Sequence, residues 1–119
     1  MSKLSWKPIL AWALAGFFAL GSAVNISAPA SVVAEYRSWG YPDWFHFVTG
    51  GLELTTAVLL ALAFTRVLGA ALGCAVMLAA ATTVVVHGEY AHGILPTIIL
   101  TLAVVVGWTS LCTGPSNLA

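Results

Sequence analysis

The sequence predicts an all-α integral membrane protein: four transmembrane helices in an up-down antiparallel bundle. Three observations predict it. The 119 residues are 61% hydrophobic and only 7% charged, whereas a soluble domain carries about a quarter charged residues and needs them to cover its surface. Four apolar stretches each approach the roughly 20 residues that a helix needs to cross the hydrocarbon core. The apolar runs are continuous and do not alternate, which argues against a transmembrane barrel. The chain is read as one domain, residues 1–119. Its apolar content excludes disorder. Four scattered basic residues and a formal net charge of zero argue against nucleic-acid binding.

The first span is predicted from about Pro8 to Ile26. A linker from Ser27 to Asp43 follows, punctuated by Pro29 and Pro42 and carrying Glu35, Arg37 and Asp43. The second span runs from about Trp44 to Phe64, and Trp39, Tyr41 and Trp44 at its start read as an aromatic belt at the outer interface. The turn at Thr65-Arg66 is short enough to force an antiparallel hairpin into the third span, Val67 to His87. Gly69-Ala70-Ala71-Leu72-Gly73 fits the small-xxx-small pattern that lets helix backbones approach, and packing within the bundle is preferred over a dimer interface. A second short turn, His87 to Gly93, leads to the fourth span, Gly93 to Leu111, with Pro96 in its first turn, where a missing N–H costs little.

Lys3, Lys7 and Arg66 fall on one side, and Arg37, offset by Glu35 and Asp43, on the other. The positive-inside rule then puts both termini in the cytoplasm. A rival reading makes residues 1–34 a cleaved signal, with Lys3 and Lys7 as its basic region and Val32-Val33-Ala34 as its processing site. Cys74 and Cys112 form no CxxC motif and lie at different depths, so they read as small apolar residues and not as a disulfide.

One charged residue has no topological duty. Glu53 stands about nine residues inside the second span, roughly 13 Å along the helix from Trp44. A carboxylate at that depth costs several kcal/mol unless it is protonated, paired or hydrated. His46, Gly50, Glu53 and Ala57 follow the helical period along one stripe, and Gly50 and Gly51 open the backbone beside the carboxyl. Asn25, His87 and His92 lie at the same outer level, and Thr83 continues a polar stripe inward from His87. The pattern predicts a pocket opening outward with Glu53 at its floor. Glu53, His87 and His46 are the candidate catalytic groups. Asn25, Tyr36, His92, Thr83 and Trp44 are the candidate ligand contacts. Histidine and glutamate suit a metal by type, but their spacing matches no ligand signature, so no metal is expected. The chain is too short for the inverted repeats of secondary transporters unless it forms a homo-oligomer.

Tyr36, Gly40-Tyr41-Pro42, Gly50-Gly51-Leu52-Glu53-Leu54 and Leu59-Leu60-Ala61-Leu62, followed by Gly69-Ala70, Met77, Ala81 and His87, make the chain resemble the DoxX-like family of small four-helix membrane proteins. The resemblance runs from the first span to about Pro96. It implies the bacterial cytoplasmic membrane, a quinone as the cofactor to consider, and subunits of quinone-linked sulfur oxidation or redox-stress complexes among the relatives. It also implies a Lys near the outer end of the first helix, where this sequence offers Asn25. Without that Lys, Glu53 is expected to be protonated, or paired with His46 or His87.

Three functional readings stand open. The chain is a membrane subunit that binds a quinone or another small apolar ligand near Glu53 and works with a redox partner protein. Alternatively, it is a self-sufficient enzyme using Glu53 with His87 or His46 for acid–base chemistry, such as isomerisation or epoxide opening, on a lipophilic substrate. The third reading is a scaffold subunit in the lipid bilayer with no site.

Overall fold

The computed structural model describes residues 5–113 of the chain. Lys3, one of the charges used above to orient the chain, lies outside them. Among the described residues the protein is all α: α1 (Trp6–Ser27), α2 (Ala30–Ser38), α3 (Phe45–Ala61), α4 (Arg66–Val86) and α5 (Ile94–Thr113), with 3-10 turns at Ala63–Thr65 and Tyr90–Gly93. Three segments are long and apolar enough to cross a membrane: Trp6–Ser27, Ala63–Val86 and Tyr90–Cys112.

Two elements differ from expectation. The linker contains a helix, α2, entered through Ala28 in the left-handed conformation (φ 48°) and left through Gly40 (φ 84°). Pro29 at its N-cap favours this start, because its fixed φ suits a helix entrance. The second apolar stretch makes only 17 helical residues, about 26 Å at 1.5 Å per residue. It ends early because Leu62 is extended and Ala63–Thr65 tighten into a 3-10 turn.

The end of α3 explains how it can stop there. A helix leaves its last carbonyls without partners, and here other groups of the chain take them. The Thr65 hydroxyl donates to Leu59 O (2.9 Å) and its backbone N–H to Leu62 O (3.2 Å). Arg66 donates through Nε to Leu60 O (2.8 Å) and through Nη2 to Ala61 O (3.1 Å). Trp12 on α1 also donates to Ala61 O (3.3 Å). Arg66 is accordingly buried, with Nη1 its one unpartnered arm. A cation at a helix C-terminus also meets the negative end of the macrodipole.

Packing follows from small residues. Phe18 of α1 is fully buried, and its ring tip lies over Gly73 of α4 and beside Thr56 of α3. Gly69 brings α4 against the backbone of α3: a Cβ there would stand 2.7 Å from Leu60 N. Gly107 lets α5 approach Ala70 of α4. The small stripe of the third span is therefore used within the chain. Neighbouring helices touch in reversed order, Trp12 with Ala61 but Ser22 with Gly50. The outer faces of the long helices are apolar and exposed, as at Leu20, Val58, Val86 and Trp108.

Gly69→Ala is expected to lower stability by about 1–3 kcal/mol, because the added methyl meets backbone that cannot swing aside. Gly51→Ala, with nothing within 4 Å of its Cβ, should leave the thermal unfolding midpoint in detergent unchanged. Arg66→Leu strips the carbonyls of Leu60 and Ala61 of their guanidinium donors. It should cost about 1–3 kcal/mol for each group left unsatisfied, seen as a lower midpoint that Arg66→Lys recovers in part.

Candidate functional site

Glu53 sits on the buried stripe of α3 with His46, Gly50, Thr56, Ala57 and Leu60. The residue is 5% exposed. Asn25, in the last turns of α1, donates through Nδ2 to Glu53 Oε1 at 2.6 Å. The same amide donates to Gly21 O one turn earlier (3.1 Å), so both of its N–H groups are engaged. Asn25 Oδ1 accepts from the phenol of Tyr36 on α2 at 2.8 Å. Glu53, Asn25 and Tyr36 thus form one hydrogen-bonded series across three helices.

Asn25 therefore stands where the resemblance implied a Lys, and it supplies Glu53's hydrogen bond. Neither histidine does. His46 is buried, and its Nδ1 faces the backbone carbonyl of Asn25 (2.8 Å). A carbonyl only accepts, so that nitrogen carries the proton, and the ring caps the end of α1. His87 makes the equivalent bond to Thr83 O within its own helix (2.7 Å) and is exposed.

The space for the carboxyl comes from Gly21. A Cβ on that residue would lie 2.5 Å from Glu53 Oε2. Gly50 plays a different part from the one expected. It is packed under α1, where a Cβ would meet Ile26 at 2.7 Å, and its carbonyl accepts from Ser22 (2.8 Å). Gly51 is exposed.

A cleft of ≈630 Å³ opens beside this series. Tyr36, Trp39, Tyr41 and Phe45 form its aromatic wall, with Tyr41 stacked on Phe45 at 4.5 Å between ring centroids. Val76, Met77, Val84, Leu95 and Pro96 supply apolar surface, and Glu53, Asn25, Thr49, Thr83, Glu35 and His92 supply polar groups. Of the candidate residues, Glu53, Asn25, Tyr36, Thr83 and His92 line one cavity. His46 and His87 do not line it, and neither does Trp44, which is 59% exposed. Trp39 and Tyr41, read from sequence as part of an interfacial belt, do.

The helix α2 closes one side of the cleft although none of its residues is fully buried. Hydrogen bonds hold it and the segment that follows. Besides Tyr36–Asn25, Trp39 Nε1 donates to Glu89 Oε1 (3.3 Å) and Tyr41 meets Thr83 Oγ1 (2.7 Å). Arg37 and Asp43 form an exposed fork-like pair (2.8 and 3.1 Å) across the turn into α3. Its hydrogen bonds hold the Asp43 carboxyl below the usual carboxylate range. Burial raises the Tyr36 phenol above its ordinary value, against a smaller opposing effect from the Thr49 hydroxyl. The phenol therefore stays protonated and keeps donating.

Gly21, Thr49, Tyr41, Trp39 and Phe45 were not among the sequence candidates. Gly21 and Asn25, four apart on one helix face, carried the signal for the first. The aromatic residues needed α2, which turns the linker back over the bundle.

Asn25→Leu removes Glu53's donor and Tyr36's acceptor together. It is expected to cost about 1–3 kcal/mol per polar group left bare, measured as a drop in thermal midpoint in detergent. Asn25→Asp sets two carboxyls at hydrogen-bonding distance, where both cannot ionise. That variant should lose stability relative to the parent as pH rises from about 5 to 8, and equal midpoints at the two pH values would contradict the arrangement.

The sequence profile of the DoxX-like family matches residues 9–106. No curated protein and no solved structure matches the chain.

Proposed function

The chain belongs to the DoxX-like family, and from that premise we propose that it is a four-span membrane subunit of a quinone-linked redox system. In this reading α3 is the fourth crossing. Its 17 residues fall at the short end of the roughly 17–25 that span a bilayer. Its bonded terminal carbonyls support a stop at membrane depth, where no water is available to satisfy them. The exposed apolar faces meet lipid. Lys7 and Arg66 mark the cytoplasmic side of a bacterial inner membrane, with both termini there and α2 on the outer side.

The observation that carries the functional reading is the buried carboxyl of Glu53, in hydrogen-bonded series with Asn25 and Tyr36 along an otherwise apolar cleft. An ionisable group inside a span costs several kcal/mol and is a functional hypothesis by default. Quinone chemistry uses both properties of such a place. The ring needs an apolar, aromatic-walled space, and ≈630 Å³ lies within the usual range of roughly 300–1,000 Å³ for small-molecule sites. Interconversion of quinone and quinol moves two electrons and two protons. A redox partner protein exchanges the electrons, and Glu53 exchanges the protons with the ring. The self-sufficient acid–base reading needs a second titrating group facing Glu53. His46 and His87, its candidates, are engaged with backbone carbonyls.

Labelling of the full chain in lipid nanodiscs with a photoreactive azidoquinone, located by peptide mass spectrometry, tests this. The expected label falls on the cleft-lining peptides of α2, α3 and α4 and is competed away by unlabelled quinone. Thr49→Trp, which fills the cleft, should reduce it at least tenfold, and Thr101→Trp on an exposed face should not. Label spread evenly over exposed helix faces, or indifferent to competition, overturns the proposal.

A further inference from the structure

We infer that the cleft is a hydrogen-bond-accepting site: it selects a ring that donates O–H, the reduced quinol or a phenol, over the oxidised quinone. The inference rests on the quinone reading for its ligand and on donor geometry for its selectivity.

The geometry engages the side-chain donors of the lining one by one. Both N–H groups of Asn25 are directed to Gly21 O and Glu53 Oε1. The Tyr36 phenol donates to Asn25 Oδ1, and the Trp39 indole donates to Glu89. The Thr83 hydroxyl donates to Ala79 O (2.8 Å), so in the Tyr41–Thr83 contact the proton comes from Tyr41. The Thr49 hydroxyl has two acceptors within the protein, Phe45 O (3.4 Å) and the Tyr36 phenol oxygen. His92 presents Nδ1 to Glu89 (3.4 Å), which in the neutral ring leaves Nε2 as an acceptor. Pro96 in the first turn of α5 has no N–H to offer.

What remains for a ligand is lone pairs. Glu53 Oε2 lies beside the bare Cα of Gly21, Glu35 lines the same cleft, and the phenol and threonine oxygens retain acceptor capacity. With Glu53 as the carboxylate, a quinone carbonyl brings further lone pairs and finds no free donor among these side chains. A quinol hydroxyl finds several acceptors. A buried site whose polar groups are left unpaired rejects the analogue that cannot pair them. The one group able to reverse this is Glu53, whose protonated form or amide variant places a donor beside Gly21.

Equilibrium binding to the full chain in nanodiscs, under anaerobic conditions, tests the inference with four probes: a short-chain quinone, its quinol, the dimethyl ether of that quinol, and an alkylphenol of similar size. The quinol should bind at least tenfold more tightly than the quinone, which raises the midpoint potential of the bound couple by about 30 mV or more. The ether should lose that advantage and the alkylphenol should keep it. Glu53→Gln should narrow the preference at least threefold or invert it. Equal binding of quinol, quinone and ether overturns the acceptor inference and leaves the quinone reading standing. Binding of the alkylphenol without the quinol overturns the quinone reading and keeps the acceptor cleft. Binding of none of the four overturns both.

Discussion

The hydrogen bond from Asn25 to Glu53 is the constraint on which the α2 end of the molecule depends. It joins α1 to α3 inside the bundle, where a buried polar group left without a partner is costly. Once made, it fixes the rotation of both helices. Asn25 must present Nδ2 to α3, so its Oδ1 faces the other way, and that oxygen is what Tyr36 reaches. The backbone carbonyl of the same residue takes His46. One asparagine therefore positions a carboxyl, a phenol and an imidazole on two other helices. Gly21, a turn earlier, is bare for the same reason: any side chain there would occupy the space of the carboxyl.

The opposite end of α3 is governed by the same physics without an acid. Leu59, Leu60, Ala61 and Leu62 hand their carbonyls to Thr65, Arg66 and Trp12. In water such carbonyls would be solvated at little cost. In a lipid setting each bare one is expensive, so the turn is built from residues that donate. Between the two ends, apolar burial contributes little to helix association once lipid replaces water, and close approach does more. Gly69, Gly73 and Gly107 provide it, and Phe18 inserts where Gly73 leaves room. Polar bonds at the ends and small residues between them hold α1, α3 and α4 in register, and α5 packs onto α4 through Gly107.

The cleft is a by-product of how α2 is attached. Its nine residues contribute no fully buried side chain. Ala28 and Gly40 turn the chain at its two ends, and side-chain hydrogen bonds hold it over α3 and α4. Aromatic rings that would otherwise sit at an interface are thereby turned into a wall facing Glu53. Their donors are engaged in holding the wall, which is why the interior offers acceptors.

Much of this was legible in the residue order. Scarce charge and long apolar runs set the all-α class and the membrane setting, because a chain so poor in charge cannot cover a soluble surface. The 3.6-residue period put His46, Gly50, Glu53 and Ala57 on one stripe, and that stripe is the buried one. Glu53 stood out by elimination. Other features depended on which helix faces which. The partner of Glu53 is Asn25, 28 positions away, and both nearby histidines are drawn off by carbonyls at helix ends. Neither result can be read from spacing along one helix, because helix-end carbonyls and carboxyls compete for the same donors and only the packed arrangement decides the competition. The sequence determined that one carboxyl is buried in an apolar chain. The tertiary structure decided what it bonds to and what space lies beside it, because hydrogen-bond partners are set by contacts between helices.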